Sequence, residues 1–359
     1  MARRGNNIYH RADGRWEGRY YCKGTRKYKS VYGKTYTEAK EKLDRIRNEA
    51  LVPSAKCHLL LSDILKMWLE SRRNYIKESS YAGYRNKLEG QIIPYFGDLK
   101  YNRLDQELME RFIADKKVAG LSEKYITDMV VMVKSAAKWA ERIKNYANRI
   151  RNVELPKSQP KEIAVFSQDE QKKLLRAIMA LHNMTACGVL LALYTGLRIG
   201  ELCALQWRDI DFNTGIMHIK KTVQRIRVYG DKSKTAVKVT APKSVSSFRD
   251  IPLPEFLITL LLSYRGEEQS YIASGSTALI EPRSFTNRYK ALLKKAGVPS
   301  RKFHCLRHSF STSALQLGFD IKTLSEILGH ASANITMRVY VHSSMERKSA
   351  CMNRLQALI

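Results

Sequence analysis

The chain has 359 residues, 44% of them hydrophobic, enough apolar material for two or three domains with cores of their own. Lys and Arg number 63 against 34 Asp and Glu, an excess of +29 spread along the chain, so a polyanion is the natural partner and nucleic acid the leading one. No run of 18 apolar residues exists and the opening MARRGNNIYH lacks a signal-peptide core, which argues against a membrane and for a cytoplasmic, nucleoid-associated protein.

From Asn7 to Tyr32 the chain reads NIYHRADGRWEGRYYCKGTRKYKSVY, aromatic and β-branched runs broken at Asp13-Gly14 and Lys23-Gly24. That punctuation predicts about three short strands. A helix follows from about Thr37, with Ala39, Leu43, Ile46 and Ala50 on one face. Arg15, Arg19, Arg26, Lys27 and Lys29 among the tyrosines suit a sheet that enters a DNA groove; the plainer reading is a solvated basic sheet. Val52-Pro53-Ser54 marks a linker, and helices are expected at about 60–70, 79–92, 105–119 and 122–144. Ile126, Met129, Val130, Val133 and Ala137 carry the three-and-four spacing of a buried stripe, and Arg85, Lys87 and Lys134 lie on polar faces able to meet phosphates.

The proline-bearing VELPKSQPKEI, 153–163, reads as a second linker. Beyond it come a helix from about Gln168, another through Leu190 to Tyr194, and a turn at Gly196 reopening into a helix. Strand-like runs follow (GIMHIKKTVQRIRVY, TAVKVTAP, FRDIPLP), then helix for nearly all of the remainder. The expected fold class is therefore multidomain α+β: a three-stranded sheet with a helix over 1–52, an all-α region over 58–150, and a mixed, mainly helical domain with a small antiparallel sheet over 164–359. The six cysteines (Cys22, Cys57, Cys187, Cys203, Cys305, Cys351) form no CxxC pair, so neither a zinc ribbon nor a disulfide framework is indicated. No GxxxxGK[ST] loop occurs, ATP is not expected as a driver, and no cofactor or metal is implied.

Breaking a phosphodiester without a metal needs fixed cations for the charge that builds on its nonbridging oxygens, a nucleophile, and groups that take up and deliver protons. Arginine suits the first task, because its planar fork binds phosphate bidentately and stays charged. Arg198 stands just after the Gly196 turn with Glu201 three residues on; His304 and Arg307 share a helical face in HCLRH; His330 follows a glycine in LGH; and Tyr340 lies on the next helix. Singly, each has an ordinary structural explanation: an ion pair at a helix start, a cap, a packed ring. His308 reads as a supporting hydrogen bonder.

In that order, TGLRIGEL, APKSVSSFRDIPLP, HCLRHSF, ILGH and the tyrosine in TMRVYVH resemble the motif series of tyrosine site-specific recombinases, the integrases of phages and conjugative transposons above all. The resemblance implies an arm-binding domain, a helical core-binding domain and a catalytic domain. It implies that Arg198 and Arg307 clamp the scissile phosphate and that Tyr340 attacks it to form a 3′-phosphotyrosine. His304 would then assist as proton acceptor, His330 would hydrogen-bond the phosphate, Lys243 in a β-hairpin loop would protonate the leaving oxygen, and Glu201 would buttress Arg198. Lys238 and Lys234 are alternatives to Lys243, since PKSVSS departs from the PKTKSS common in such integrases at Val245. It further implies double-stranded DNA as substrate, with core and arm sites, a Holliday junction, a homotetramer on DNA, an accessory excisionase, and integration and excision of a mobile element. A topoisomerase of type IB character, or a noncatalytic DNA-binding protein on an inherited scaffold, are the competing readings.

Overall fold

The computed structural model describes residues 7–22, 27–50, 58–156, 164–227, 235–242, 245–340 and 349, and the side chains of all of these except Cys22, Lys27, 45–50, Arg227, Val245, Ile335 and 338–340. The chain divides into two compact units, Met1–Gln159 and Pro160–Ile359.

In the first unit, β1 (Ile8–His10), β2 (Trp16–Cys22) and β3 (Lys27–Gly33) form an antiparallel sheet in the order β1-β2-β3. Helix α1 (Tyr36–Ala50) packs on one face, burying Leu43 over Gly18 beside Val31 and Ala39 against Gly33. Because side chains alternate along a strand, the other face presents Tyr9, Glu17 and Tyr32 in one cross-strand row, then Arg19 beside Ser30, then Tyr21 beside Tyr28. Lys29 pairs with Tyr20 in the register of the α1 face, so it does not share a face with Arg19.

The rest of this unit is helical: α2 (Leu61–Arg72), α3 (Glu78–Lys87) continuing through a π-helical turn (Leu88–Ile92) into α4 (Ile93–Phe96), α5 (Gln106–Val118) and α6 (Glu123–Lys144). Asp105 and Ser122 cap α5 and α6 by accepting the Leu108 and Tyr125 backbone N–H groups. The stripe read from the sequence is the core itself: Ile126, Met129, Val130, Val133 and Ala137 of α6 are buried with Trp68 and Phe112.

In the second unit, α7 (Gln168–Leu181) opens on a reciprocal Ser167/Glu170 capping box. Helix α8 (Met184–Thr195) is predominantly apolar and nine of its 12 residues are buried, the signature of a central helix. Each of its fully buried leucines, Leu190 and Leu191, is worth about 1.5–3 kcal/mol. After α9 (Ile199–Ala204) the chain forms β4 (Ile210–Asp211), β5 (Ile216–Ile219), β6 (Thr222–Arg227), β7 (Thr235–Thr240) and β8 (Arg249–Pro252). These make two small antiparallel sheets, β4-β5-β8 and the β6-β7 hairpin, so GIMHIKKTVQRIRVY is two strands of different sheets divided at Lys220-Lys221. Helices α10 (Glu255–Leu262), α11 (Pro282–Lys295), α12 (His304–Gln316), α13 (Ile321–Leu328) and α14 (Ala333–Tyr340) complete the unit.

One expectation needs correction. Helix does not fill nearly all the chain after β8: residues 263–281 run as turns tied by the bridges Gln206–Tyr271 and Tyr271–Ser276. Lys243, expected in a β-hairpin loop, lies outside the described residues. Cys187, Cys203 and Cys305 are buried, and burial pushes the first two thiols up to about 12, where they stay protonated and inert. Among the described residues no helix is long and apolar enough to cross a membrane.

Candidate active site

The site is built where helices end. The last carbonyls of an α-helix have no intrahelical partner, and at the end of α13 three successive ones accept from three arginines. Arg249 donates its Nε to the Ile327 carbonyl at 2.6 Å, Arg307 an Nη to that of Leu328 at 2.6 Å, and Arg198 an Nη to that of Gly329 at 3.1 Å. Arg307 gives its other Nη to the carbonyl of Gly196, 2.7 Å away at the end of α8. Both helices close on a glycine in the left-handed region, with φ of +65° at Gly196 and at Gly329, where a side chain would be strained and crowded. The two glycines of TGLR and LGH thus set the carbonyls to which the guanidinium groups dock, with the negative pole of α13 favouring the cations.

Arg198 caps the start of α9. Its backbone N–H meets Glu201 Oε2 at 3.0 Å and its Nη1 meets Oε1 at 2.7 Å. Arg249 takes the same carboxylate from the other side, Nη2 to Oε2 at 2.9 Å and Nη1 to Oε1 at 3.2 Å. Burial alone would raise the Glu201 carboxyl's pKa, but the hydrogen bond to Arg249 and the charges of Arg249 and Arg198 carry it below the ordinary value, so it is ionised. Arg307 is 1% exposed, whereas the Arg198 side chain keeps 35% of its surface.

His304 opens α12, with its ring 4.6 Å from that of His308 in an edge-on arrangement. Desolvation by surrounding protein leads, and the neighbouring His308 and the cations Arg307 and Arg198 add to it, in pushing His304 down to about 4. Its surface remains open to water, which tempers the shift without changing its direction. His330, immediately after Gly329, is also pushed down to about 4, by desolvation first and then by Arg307, Arg198 and Arg249. Its Nδ1 is held by the fully buried Thr336 hydroxyl at 2.8 Å. His308 is lowered by desolvation and Arg307. At neutral pH the site therefore sets neutral imidazoles beside fixed guanidinium charges. Tyr340 lies on α14, the helix that follows His330; its side chain is outside the described set, as is Lys243.

The sequence brought Arg198, Glu201, His304, Arg307, His308 and His330 forward, and the structure gathers them. It passed over Arg249 and Thr336. A signal for Arg249 existed: on β8 the period of two places it on the face of buried Ile251, and a charge pointing inward needs a partner.

The candidate DNA-contact residues fare differently. Arg15 and Arg19 are more than half exposed but ion-paired, at 2.8 Å each, to Asp13 and Glu17. Glu17 is held down to about 2 chiefly by the hydrogen bond from Arg19, with Ser30 and Arg11 adding theirs. Arg85 pairs with Glu89 at 2.6 Å. Lys87 binds Asp128 at 2.9 Å, pinning α3 to α6, and Lys134 donates to the Val153 carbonyl at 2.6 Å. Lys29 is exposed; Arg26 and the Lys27 side chain lie outside the described residues.

A model of the phage integrase family matches residues 164–347, just over half of the chain, and one for the phage integrase N-terminal SAM-like domain matches residues 60–117. The chain is 29% identical over 369 aligned residues, 92% of each protein, to a tyrosine recombinase XerC-like protein of Caldanaerobacter subterraneus subsp. tengcongensis. Its fold is similar to that of the Tn1549 transposon integrase in complex with a circular intermediate DNA, with a TM-score of 0.67 at 20% identity over 83% of this chain and 99% of that one. It is also similar to lambda integrase, solved as a tetramer bound to a Holliday junction, with a TM-score of 0.58 at 17% identity over 95% and 97%. On the family match, and with the arginines and histidines of its motifs assembled at the ends of α8 and α13, the chain belongs to the phage integrase family of tyrosine recombinases.

Proposed function

We propose that this integrase cuts and rejoins DNA at specific sites, through a 3′-phosphotyrosine intermediate and a Holliday junction, to integrate and excise a mobile element. The observation that carries the reading is the docking of Arg198 and Arg307 on consecutive carbonyls at the end of α13, directly before His330 and the helix that carries Tyr340.

In this reading the two guanidinium groups hold the nonbridging oxygens of the scissile phosphate and stabilise the charge added on attack. The Tyr340 phenol oxygen bonds to phosphorus, its proton passes to neutral His304, and the bond to the 5′ oxygen breaks. Phosphate beside His304 raises the ring's affinity for that proton, countering the neighbouring cations. Lys243 protonates the departing 5′ oxygen, and His330 hydrogen-bonds the phosphate. The tyrosyl ester keeps the bond energy of the phosphodiester, so a 5′-hydroxyl from a second duplex can reverse the step without ATP.

Three parts divide the work: 1–52 engages arm sites, 58–150 grips the core site, and 164–359 carries the chemistry, acting on the nucleoid. The protein works as a homotetramer, with an accessory excisionase giving direction. An apolar groove of about 540 Å³ on the second unit, with Tyr194, Phe256, Leu317 and Phe319 at its walls, supports subunit docking by the chain after Tyr340, which carries Met345, Met352, Leu355 and Leu358. Leu317→Glu should then leave cleavage of a half-site intact and abolish exchange between duplexes; unimpaired exchange would rule the groove out.

The test of the chemistry is covalent trapping on a nicked suicide duplex carrying the element end adjoining the gene. Wild type should form a protein–DNA adduct and Tyr340→Phe none. Arg198→Ala should bind the duplex but cleave it slower by a factor of about 10²–10³ or more, as expected for a lost transition-state donor. No adduct from wild type on the element's own ends, or normal cleavage by Arg198→Ala, sinks the assignment.

A further inference from the structure

Two arginines share one acid in this site, and they differ sharply in how much of each side chain is open to solvent. The Glu201 carboxylate accepts four hydrogen bonds, two from Arg198 and two from Arg249, which fills the roughly four acceptor positions a carboxylate offers. The Arg249 side chain is 5% exposed and Glu201 3%, against 35% for Arg198. Arg249 is held at every turn: Nε on the Ile327 carbonyl, Nη1 also on the Ser247 carbonyl at 3.2 Å, and the fork on Glu201. It therefore joins α9, the β7–β8 connection and the end of α13 from inside the protein.

Arg198, by contrast, gives Glu201 a single side-chain nitrogen, Nη1, the second bond coming from its backbone N–H, and gives Nη2 to the Gly329 carbonyl at 3.1 Å. Were the two positions taken by Arg249 vacant, a buried, ionised carboxylate would be left short of donors. The nearest supply is the rest of the Arg198 guanidinium, whose Nη2 would leave the Gly329 carbonyl as the group turns into a two-nitrogen pair with Glu201. That pair is the geometry arginine and carboxylate favour, and its charges would cancel.

We propose that Arg249 is a positioning residue that sets the pose and the charge of Arg198: by occupying half of Glu201 it restricts Arg198 to one side-chain bond with that acid, keeps Nη2 seated on the Gly329 carbonyl, and leaves the donor hydrogens not used by these two partners for a phosphodiester. The proposal rests on the reading that Arg198 binds the scissile phosphate. One carboxylate divided between two guanidinium groups leaves a net positive charge in the cluster, and the buried partner keeps that charge on the side that meets DNA.

The test is a double-mutant cycle read as single-turnover adduct formation on the nicked suicide duplex, with duplex affinity measured alongside. In the wild-type background Arg249→Met should slow cleavage by roughly 10- to 100-fold, short of the 10²–10³ of a direct donor, with little change in affinity. In the Glu201→Gln background, where no charged acid remains to capture Arg198, the same change should cost less than about threefold. Arg249→Lys keeps a cation on Glu201 and should fall between wild type and Arg249→Met; it also serves the same comparison if the Met variant does not fold. An equal loss in both backgrounds, or none in the wild-type one, overturns the proposal. Arg198→Ala, run in parallel, separates the two levels: if it cleaves normally the reading of Arg198 has failed, and if it is inactive while the Arg249 losses are equal, only the role of Arg249 has.

Discussion

His330 and His304 illustrate how neighbours set the state of a side chain. Both lie near several fixed positive charges and are desolvated by the protein, and both are driven from 6.5 to about 4. A histidine that holds its proton less tightly when folded stabilises the fold fully above its unfolded pKa, and that stability is lost as pH falls toward the folded value. Between pH of about 6.5 and 4 the unfolded chain takes up protons that these rings refuse. The thermal unfolding midpoint of the free protein should thus decline across that window, and His330→Gln should flatten the decline more than His304→Gln, whose ring is more open to water. An identical slope in wild type and His330→Gln would show that the ring is not held neutral by the fold. Thr336 matters at this scale too: its hydroxyl on Nδ1 leaves Nε2 as the ring atom available to a phosphate.

Helix α13 is only eight residues long, yet its end organises the site. Asp320 caps its start on the Thr323 N–H, and its final carbonyls hold three guanidinium groups. Gly329 makes this arrangement available. At φ of +65° it turns the chain out of the helix, and a Cβ there would stand 3.0 Å from Arg249 Cδ and 3.0 Å from the Ser246 carbonyl oxygen. Gly329→Ala should therefore cost about 1–2 kcal/mol from the left-handed backbone alone, with a further penalty from displaced Arg249. Urea unfolding of the full chain should show a lower midpoint for the transition of the second unit, and half-site cleavage should slow more than DNA binding weakens. A variant as stable and active as wild type would mean that neither the φ angle nor the crowding constrains this corner. The motif LGH is legible in the sequence as a helix end, but that its carbonyls collect Arg198, Arg249 and Arg307 from residues far apart in the chain is not, because register between distant elements is a property of packing.

Across the whole molecule the excess of +29 implies strongly salt-dependent DNA binding, since each neutralised phosphate releases a counterion. The β1–β3 sheet presents tyrosines and Arg19 on the face away from α1, with Glu17 tethering Arg11 and Arg19. Removing residues 1–52 should spare cleavage at a core half-site and abolish the bridging of core to distant arm sites, measured as loss of the looped complex on DNA carrying both. Loss of core cleavage itself would place that segment in the chemistry instead. Lys87 and Lys134 lie on polar helix faces, and within the fold Lys87 binds Asp128 and Lys134 the Val153 carbonyl, partners that their positions in the sequence do not announce.

By itself the sequence determined the elements and the chemistry-bearing residues: the stripe from Ile126 to Ala137 became core, Gly196 and Gly329 became helix ends, and an ordered set of weak motifs identified the family. Local rules suffice there, because spacing, capping and backbone freedom are encoded within a few residues. Tertiary structure alone decided which charges cooperate. Arg249 is one strand residue among many until β8, α9 and the end of α13 meet around it, and Thr336 is an ordinary helix threonine until its hydroxyl reaches His330. Those roles arise from burial, where an unpaired charge or polar group is costly and partners must come from wherever the fold brings them.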